Sequence, residues 1–325
     1  MKRLVFQRFG PPAEVLGLEP GEPAPLAAGG VRLKLLAAPV NPADLNYIEG
    51  TYGVKPELPA VPGIEGCGEV VESRDPRFAP DDRAIFLKRA DTWAEETTVA
   101  GDLLFKLPPG LDPLQAAMLK VNPATAWRLL TGFRSLEQGA WVALNAANSG
   151  VGRCVIQLAR TLGLRTVAFV RRPELIAELK ALGADHVALD GDEGLREAKE
   201  VVGPPGAAIA CNAVGGESAL RLMNLLAAGG VHVTYGAMAR RPLTVPNGLL
   251  IFKNLELRGL WITRWIDDAP AAEVSEIYTR LAAHALAGEL VQPVDAVFPL
   301  EAFPAALARA AETGRHGKVL FRMEG

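Results

Sequence analysis

The sequence predicts an α/β protein that combines a β-rich unit with a doubly wound parallel-sheet unit. Its 325 residues suit two domains of roughly 100–200 residues each. The first hundred residues are rich in glycine and proline turns, and from about residue 112 short apolar strands alternate with helical segments. With 49% hydrophobic and 22% charged residues, the composition is that of a folded globular protein.

The N-terminal third of the chain has short β-like runs at 31–36, 68–72 and 83–87. Turn residues separate them, notably at Gly29-Gly30 and Pro62-Gly63. Several short strands between glycine and proline turns indicate an antiparallel barrel or sandwich.

The middle of the chain alternates between strand-like and helix-like sequence patterns. Continuous apolar strands are predicted at 141–144, 165–170, 186–189, 207–212 and 230–235, and helices at 113–131, 151–162, 173–182, 193–202 and 216–227. Such alternation indicates a parallel sheet that is buried on both faces. Right-handed crossovers then give a doubly wound fold with a ligand crevice at the carboxyl ends of the strands.

The C-terminal part returns to the turn-rich, strand-like pattern of the N-terminal third. A strand is predicted at 255–261 and an amphipathic helix at 271–287, followed by strand-like sequence at 294–300 and 318–323. We interpret this as a parallel-sheet domain inserted into the β-rich domain. The predicted domains are 1–114 with 265–325, and 115–264.

Charge and composition exclude several classes of function. A net charge of −3 and a pI near 5.9 argue against nucleic-acid binding, which depends on clustered lysine and arginine. No apolar run reaches the roughly 18 residues of a membrane span. The first residues enter a strand-like pattern without a signal or transit segment, so we expect a cytoplasmic protein. Three separated cysteines, Cys67, Cys154 and Cys211, fit neither a disulfide scaffold nor a thiolate zinc site.

The segment 145–152 connects a predicted strand to a predicted helix, which is where a dinucleotide pyrophosphate binds. The three fingerprint glycine positions hold Ala147, Ser149 and Gly152, with an additional Gly150. The motif is weak but its context is strong. It predicts a phosphate loop, and an ordinary strand–helix turn is the alternative.

The choice of cofactor depends on the end of the next strand. Enzymes that use NAD usually carry an acidic residue there, about 20 residues further on, for the ribose hydroxyls. This chain has Arg171 and Arg172, the first of them 19 residues after Gly152. Because arginine matches a phosphate bidentately, we expect NADPH. Two solvated surface arginines are the alternative.

Further motifs run along nearly the whole chain: Asn41-Pro-Ala-Asp44, Gly50-Thr-Tyr52-Gly53, Pro56-Glu-Leu-Pro59, Val121-Asn-Pro123, Tyr235-Gly-Ala-Met238 and Arg258-Gly-Leu-Trp261. On these motifs the chain resembles the zinc-independent medium-chain dehydrogenase/reductase superfamily. Within it, the chain is most similar to mitochondrial-type trans-2-enoyl thioester reductases and is related to quinone oxidoreductases. The resemblance implies a β-rich GroES-like catalytic domain and a Rossmann cofactor domain.

The zinc-dependent branch of that superfamily is not matched. Its members share a cysteine near the first aspartate and a Gly-His-Glu motif, whereas no cysteine lies near Asp44 and Ile64 stands at the histidine position. The histidines at 186, 232, 284 and 316 offer no tetrahedral ligand set with the scattered cysteines. We therefore expect no metal and no zinc-dependent alcohol oxidation, since that reaction would lack its Lewis acid.

The resemblance implies that Tyr52 is the catalytic proton donor. A phenol with a pKa of about 10 stays protonated at neutral pH and can protonate an enolate carbon. The Gly-x-Tyr-Gly turn is expected to face the crevice between the domains. A turn tyrosine that covers apolar surface is the alternative, and Tyr47 is a weaker rival.

The resemblance also assigns cofactor contacts residue by residue. They cover the phosphate loop, the arginines, the stretches that flank the nicotinamide and a C-terminal lysine: Asn122, Asn148, Ser149, Gly150, Val151, Gly152, Arg171, Arg172, Tyr235, Gly236, Ala237, Met238, Leu260, Trp261, Ile262 and Lys318. Trp261 as sheet core and Lys318 as a solvated residue are the alternatives. Two departures from the family stand out, because Lys120 replaces a small residue and Arg172-Pro173 shortens an Arg-Asp-Arg run.

Three functions are weighed. The first is NADPH-dependent reduction of trans-2-enoyl thioesters carried by CoA or acyl carrier protein. The second is an NADPH:quinone oxidoreductase or alkenal/enone reductase, and of these quinone reduction needs no carbon-protonating tyrosine. The third is a non-catalytic NADPH-binding protein. The predicted edge strand at 255–261 further favours a homodimer that pairs across a two-fold axis.

Overall fold

The computed structural model of the chain describes residues 1–323, which form two units. Unit 1 consists of Met1–Val121 together with the chain from Ala269 onward, and unit 2 is Asn122–Asp268. The described part of the chain contains no helix that is both long enough and apolar enough to cross a membrane.

The strands follow one another in two series that belong to unit 1 and flank the series of unit 2. In chain order they are β1 (Lys2–Phe6), β2 (Leu16–Pro20), β3 (Gly30–Pro39), β4 (Cys67–Ser73), β5 (Arg83–Phe86), β6 (Glu96–Ala100), β7 (Leu104–Lys106), β8 (Trp141–Leu144), β9 (Arg165–Val170), β10 (His186–Leu189), β11 (Ala207–Asn212), β12 (Leu226–Thr234), β13 (Glu256–Gly259), β14 (Val294–Phe298) and β15 (Lys318–Arg322).

The helices are concentrated in unit 2. In chain order they are α1 (Pro12–Val15), α2 (Pro42–Glu49), α3 (Pro113–Ala117), α4 (Asn122–Thr131), α5 (Gly150–Thr161), α6 (Leu175–Leu182), α7 (Asp192–Val202), α8 (Gly216–Leu225), α9 (Asn247–Lys253), α10 (Ile262–Asp268), α11 (Ala271–Leu286) and α12 (Phe303–Ala311).

Unit 1 is built on a seven-stranded sheet in the order β14-β15-β3-β4-β5-β7, with β6 also paired to β3. All of its pairs are antiparallel except β14 with β15. The C-terminal strand β15 lies beside β3, with Phe321 opposite Ala38. The buried ring of Trp93 meets Phe321 edge-on at 5.1 Å between centroids, so both segments of unit 1 contribute to one core.

Unit 2 is a six-stranded, entirely parallel sheet in the order β10-β9-β8-β11-β12-β13. The strand order reverses between β8 and β11, which makes their carboxyl ends the expected ligand position of a doubly wound fold. Strand residues such as Val142, Val167 and Ile209 are fully buried, as a sheet covered on both faces requires. The predicted fold class is confirmed.

The structure corrects several predicted boundaries. The helix expected over 113–131 is two helices separated by a turn at 118–121, because Pro123 has no backbone N–H and restricts the residue before it. Helix α3 packs on β3 and β4, so residues 115–121 belong to unit 1 rather than to the predicted domain 115–264. Residues 265–268, in α10, belong to unit 2. The helices at Pro42–Glu49, Asn247–Lys253, Ile262–Asp268 and Phe303–Ala311 were not predicted.

Candidate functional site

The predicted phosphate loop connects β8 to α5, as expected. Ser149 is the N-cap of α5, and its Oγ accepts a hydrogen bond from Gly152 N at 3.1 Å. The helix runs for 12 residues, so its exposed N–H groups and dipole favour an anion at this end. A Cβ at Gly152 would lie 2.6 Å from the carbonyl oxygen of Ala147. Only glycine therefore fits there without moving the backbone.

Asn122 and Gly150 lie against each other in unit 2. Asn122 is the buried first residue of α4, and a Cβ at Gly150 would lie 2.4 Å from its Nδ2. The absence of a side chain at Gly150 therefore allows the amide of Asn122 to approach the loop backbone. These two predicted site residues are brought together.

Arg171 and Arg172 directly follow β9. Arg171 is exposed and Arg172 is half-buried, and Arg172 Nε lies 3.6 Å from Glu174 Oε1. An exposed pair of this kind is weak, so it leaves the guanidinium groups available to an anion. The end of β9 itself carries no acidic residue.

The remaining predicted contacts in unit 2 follow β12 and β13. Tyr235 N donates to Asn212 O at 3.0 Å, and Leu260 N donates to Thr234 O at 2.9 Å. These bonds place the 235–238 turn and the Leu260–Ile262 segment at neighbouring strand ends. Trp261 is 40% exposed, which argues against the alternative that it is sheet core. The Tyr235 hydroxyl is buried near Ser149, and burial raises its pKa.

A chain of neutral polar groups, buried except for half-buried Thr234, crosses the strand ends at the switch point. We call it the amide chain: Asn145, Asn212, Ser218 and Thr234. Asn145 Nδ2 donates to Asn212 Oδ1 and to Ser218 Oγ, each at 2.8 Å, and Asn212 Nδ2 donates to Thr234 Oγ1 at 3.1 Å. The Asn212 oxygen also accepts from Val214 N and Gly215 N at 3.1 Å. The chain thereby fixes the loop after β11.

In unit 1, Tyr52 lies just beyond α2. Gly50 ends that helix with φ +73°, a conformation that glycine adopts without strain. Tyr52 N donates to Asn46 O at 3.1 Å, and its half-buried ring packs against the core of the unit. The rival Tyr47 is buried instead, with the Arg89 guanidinium 3.7 Å from the centre of its ring. Burial is the main cause of a raised pKa of Tyr47.

Lys318, itself half-buried, belongs to a second group of polar residues, the others of which are buried. We call it the charged cluster: Asn41, Asp44, Glu65, Lys120 and Lys318. Lys318 Nζ donates to Asn41 Oδ1 at 2.6 Å, and Asn41 Nδ2 donates to Glu65 Oε1 at 2.9 Å. Lys318 is thus not merely solvated, as the alternative supposed.

Lys120 completes this cluster from the end of the first segment of unit 1. Its Nζ donates to Ile64 O at 2.8 Å, while Glu65 Oε2 accepts from Val121 N at 2.8 Å. Asp44 accepts from Asn41 N at 3.1 Å and from Ile64 N at 2.8 Å. The side chain that departs from the family therefore binds beside Ile64, the position that zinc-dependent members fill with histidine.

Burial governs the ionisation of the charged cluster. It raises the pKa of both Asp44 and Glu65, while Arg89 opposes the effect at Asp44 and Lys318 opposes it at Glu65. Residues 1–323 contain no group of three or more histidine, cysteine or acidic side chains arranged to hold a metal ion. The histidine positions include His232, which is fully buried within β12.

The predicted residues thus fall into two sets. The set in unit 2 lies at the carboxyl ends of its strands and at the start of α5, whereas Tyr52 and Lys318 lie in unit 1. Sequence reasoning missed the amide chain and the charged cluster. One signal was readable: Asn41 and Asp44 have the spacing of a capping box, which the structure contains at the start of α2.

Comparisons with known proteins agree with this geometry. Residues 27–108 match the family described as alcohol dehydrogenase GroES-like domain, and residues 150–279 match the family described as zinc-binding dehydrogenase. The human mitochondrial enoyl-[acyl-carrier-protein] reductase is 41% identical over 94% of this chain and 84% of its own length.

Solved structures share the whole fold. The Etr1p/NADP/crotonyl-CoA complex is 28% identical with a TM-score of 0.89 over 99% of both chains. The Etr1p/Etr2p heterodimer, a mitochondrial 2-enoyl thioester reductase from Candida tropicalis, is 28% identical with a TM-score of 0.88 at the same coverage. A quinone oxidoreductase from Pseudomonas syringae, 24% identical with a TM-score of 0.86 over 99% of both chains, shares the fold alone. The chain belongs to the medium-chain dehydrogenase/reductase superfamily, in the family of the enoyl-[acyl-carrier-protein] reductases.

Proposed function

We propose that this protein reduces the double bond of trans-2-enoyl thioesters with NADPH. The observation that carries this proposal is the 41% identity to an enoyl reductase along 94% of the chain. The phosphate loop and the two arginines in unit 2 supply the chemistry that NADPH requires. Fold alone would not distinguish this activity from quinone reduction, since both occur on it.

The residues of unit 2 fit the cofactor. The N-terminus of α5 and the close approach that Gly152 permits suit a pyrophosphate, and the arginines after β9 suit a 2′-phosphate. The turn at Tyr235–Met238 and the Leu260–Ile262 segment are proposed to flank the nicotinamide, with Asn122 beside the loop. When bound, NADPH supplies the hydride that adds to the β-carbon.

The protein has to supply the proton and stabilise the developing charge. Hydride addition to the β-carbon leaves negative charge on the thioester oxygen and the α-carbon, as in an enolate. We assign Tyr52 to donate its hydroxyl proton to the α-carbon. Lys318 is assigned to the cofactor site, and its bond to Asn41 at 2.6 Å would hold the ammonium group in one position.

Substitution of Tyr52 tests the assignment. Tyr52→Phe removes the proton donor and keeps the ring, so we expect enoyl-CoA reduction to fall by about 10²- to 10⁴-fold. Binding of NADPH, followed by fluorescence, should be unchanged. Tyr47→Phe is the matched control, because that tyrosine is buried under Arg89, and it should retain activity. Equal activity of Tyr52→Phe and the control would remove Tyr52 from the mechanism.

Quinone reduction is the alternative outcome of the same experiment. A quinone accepts hydride and is protonated on oxygen by solvent, so it needs no dedicated carbon acid. If the wild-type protein reduces only quinones, and Tyr52→Phe reduces them equally well, the enoyl reductase proposal fails.

We also propose a homodimer that pairs through β13. All four residues of this strand are exposed, and within residues 1–323 it pairs only with β12. The preceding helix α9 exposes Ile251 by 69% and Phe252 by 84%. Unpaired strand edges next to apolar surface favour association with a second chain. Light scattering at micromolar concentration tests this, and a monomeric mass would contradict it.

The acyl carrier and the cellular location belong to the same proposal. The substrate is an acyl thioester of CoA or of acyl carrier protein, and competition between the two carriers would rank them. The expectation of a cytoplasmic location stays a prediction, while the human relative is described as mitochondrial. Imaging of the tagged native protein would decide it.

A further inference from the structure

We propose that Arg221 compensates the charge of Asp190, while Ser218 holds its carboxylate, so that the 2′-phosphate of NADPH can bind beside it. The Asp190–Arg221 pair is then a determinant of the preference for NADPH over NADH. This inference rests on the proposed cofactor, and it concerns residues that lie outside the phosphate loop and the two arginines.

The position of Asp190 places it next to the 2′-phosphate site. Asp190 follows β10 directly, and its N–H donates to Val170 O at 2.7 Å. Leu189 is paired with Val170 across the parallel strands β10 and β9, and Arg171 is the next residue after Val170. Since adjacent strands lie about 4.8 Å apart, Asp190 and Arg171 occupy neighbouring strand ends.

An acidic residue at that place would oppose NADPH binding unless its charge were compensated. The 2′-phosphate carries up to two negative charges, and a carboxylate at the neighbouring strand end would repel it. The same carboxylate would be tolerated by NADH, whose ribose carries hydroxyl groups at this position. Whether the charge of Asp190 is compensated therefore affects the choice between NADPH and NADH.

The structure shows the compensation. Arg221 NH1 lies 3.1 Å from Asp190 Oδ1, and Ser218 Oγ donates to Asp190 Oδ2 at 2.6 Å. The Asp190 side chain is only 8% exposed and that of Arg221 is 21% exposed, so solvent screens their attraction little. Arg221 Nε also lies 3.5 Å from Asp192, which is 96% exposed. Ser218 belongs to the amide chain, so Asp190 is held by groups that are themselves fixed.

Three variants test the pair by fluorescence titration with NADPH and with NADH. Arg221→Met exposes the phosphate to an uncompensated Asp190, so its affinity for NADPH should fall on the order of fivefold, with little change for NADH. Asp190→Asn combined with Arg221→Met should restore NADPH affinity. Arg196→Met on α7, exposed and of equal charge change, is the control and should behave as wild type.

Asp190→Asn alone gives an independent test if Arg221→Met does not fold. With the carboxylate gone and Arg221 retained, NADPH affinity should increase, while NADH affinity should stay unchanged. A purely structural role predicts that each variant weakens both cofactors equally and that the double variant is not restored, and either result would overturn the inference. If the wild-type protein prefers NADPH but does not reduce enoyl thioesters, only the proposed function is contradicted.

Discussion

The charged cluster of unit 1 and the amide chain of unit 2 both fix loops, but they do so with different chemical groups. Both are largely buried and both hold loops that carry candidate site residues. The charged cluster does so with two carboxylates and two ammonium groups, whereas the amide chain uses amides and hydroxyls. Neutral groups are satisfied by hydrogen bonds alone, but buried charges also need their counter-charge. The two regions should therefore differ in what a single substitution costs.

The two regions should also differ in their response to pH. Burial raises the folded-state pKa of Asp44 and Glu65 above their ordinary values of 3.8 and 4.5. The folded state then binds more protons than the unfolded state, so stability from these groups is lost as pH rises through that window. None of the four side chains of the amide chain ionises between acidic and neutral pH, so the hydrogen bonds among them should not change over that range.

The largest effect is expected when the charged cluster loses an anion. Glu65→Ala removes the acceptor of Asn41 Nδ2 and of Val121 N and leaves Lys318 and Lys120 without the carboxylate that lies near both of them. Breaking a buried charge group in this way destabilises by about 3–5 kcal/mol. Chemical denaturation at neutral pH measures the change. Glu69→Ala in β4, a truncation of a partly exposed acid that pairs with Arg83, is the control and should cost little.

Truncation of a neutral side chain in the amide chain should lower the free energy of unfolding by less. Asn145→Ala removes the donor to Asn212 and Ser218 and the acceptor of Ala213 N. The buried partners that remain unsatisfied cost about 1–3 kcal/mol, and the loss should be equal at acidic and neutral pH. Asn224→Ala, which loses only a bond to Leu220 O within α8, serves as control. A loss as large as that of Glu65→Ala would break the distinction between the two regions.

Lys120→Met sharpens the comparison by changing the pH response of unit 1. The Lys120 ammonium lowers the pKa of Glu65, so in the variant that pKa rises further. The variant should therefore lose more stability at neutral pH than below pH 4.5. We expect a loss of about 1–3 kcal/mol at neutral pH. Denaturation curves across acidic and neutral pH check it. The same loss at every pH would show that Lys120 contributes packing and a hydrogen bond only.

His232 gives the opposite dependence in unit 2, with the smallest effect at neutral pH. Burial lowers its pKa from 6.5 to about 4, and neither ring nitrogen has a hydrogen-bond partner within residues 1–323. The unfolded state therefore binds the extra proton, so this stability is present above 6.5 and lost as pH falls towards 4. His232→Leu should remove that acid-side loss. If His232→Leu loses as much stability at acidic pH as the wild-type protein does, His232 is not the source of that loss.

The contrast also separates what the sequence could predict from what it could not. The strands of unit 2 were predictable because strands buried on both faces are continuous apolar runs, and β9, β10 and β11 begin and end as predicted. The phosphate loop was predictable because strand, turn and helix are contiguous in sequence. Both depend only on local order.

Contacts between distant residues were not predictable in that way. Lys318 and Asn41 are 277 positions apart, and Asn145 and Ser218 are 73 positions apart. Their proximity follows from strand order, which a single sequence does not encode locally. The spacing of Ser218 and Arg221 on one face of α8 indicates that they share a partner, but only the structure identifies it as Asp190.

The most direct test of the account is the wild-type oxidation of NADPH by a short trans-2-enoyl-CoA, beside a quinone at equal concentration and with NADH as the alternative cofactor. The account predicts rapid turnover of the enoyl thioester with NADPH, slower turnover with NADH, and little turnover of the quinone. Turnover of the quinone alone would contradict the account, and Tyr52 would then be a turn residue that covers the core of unit 1.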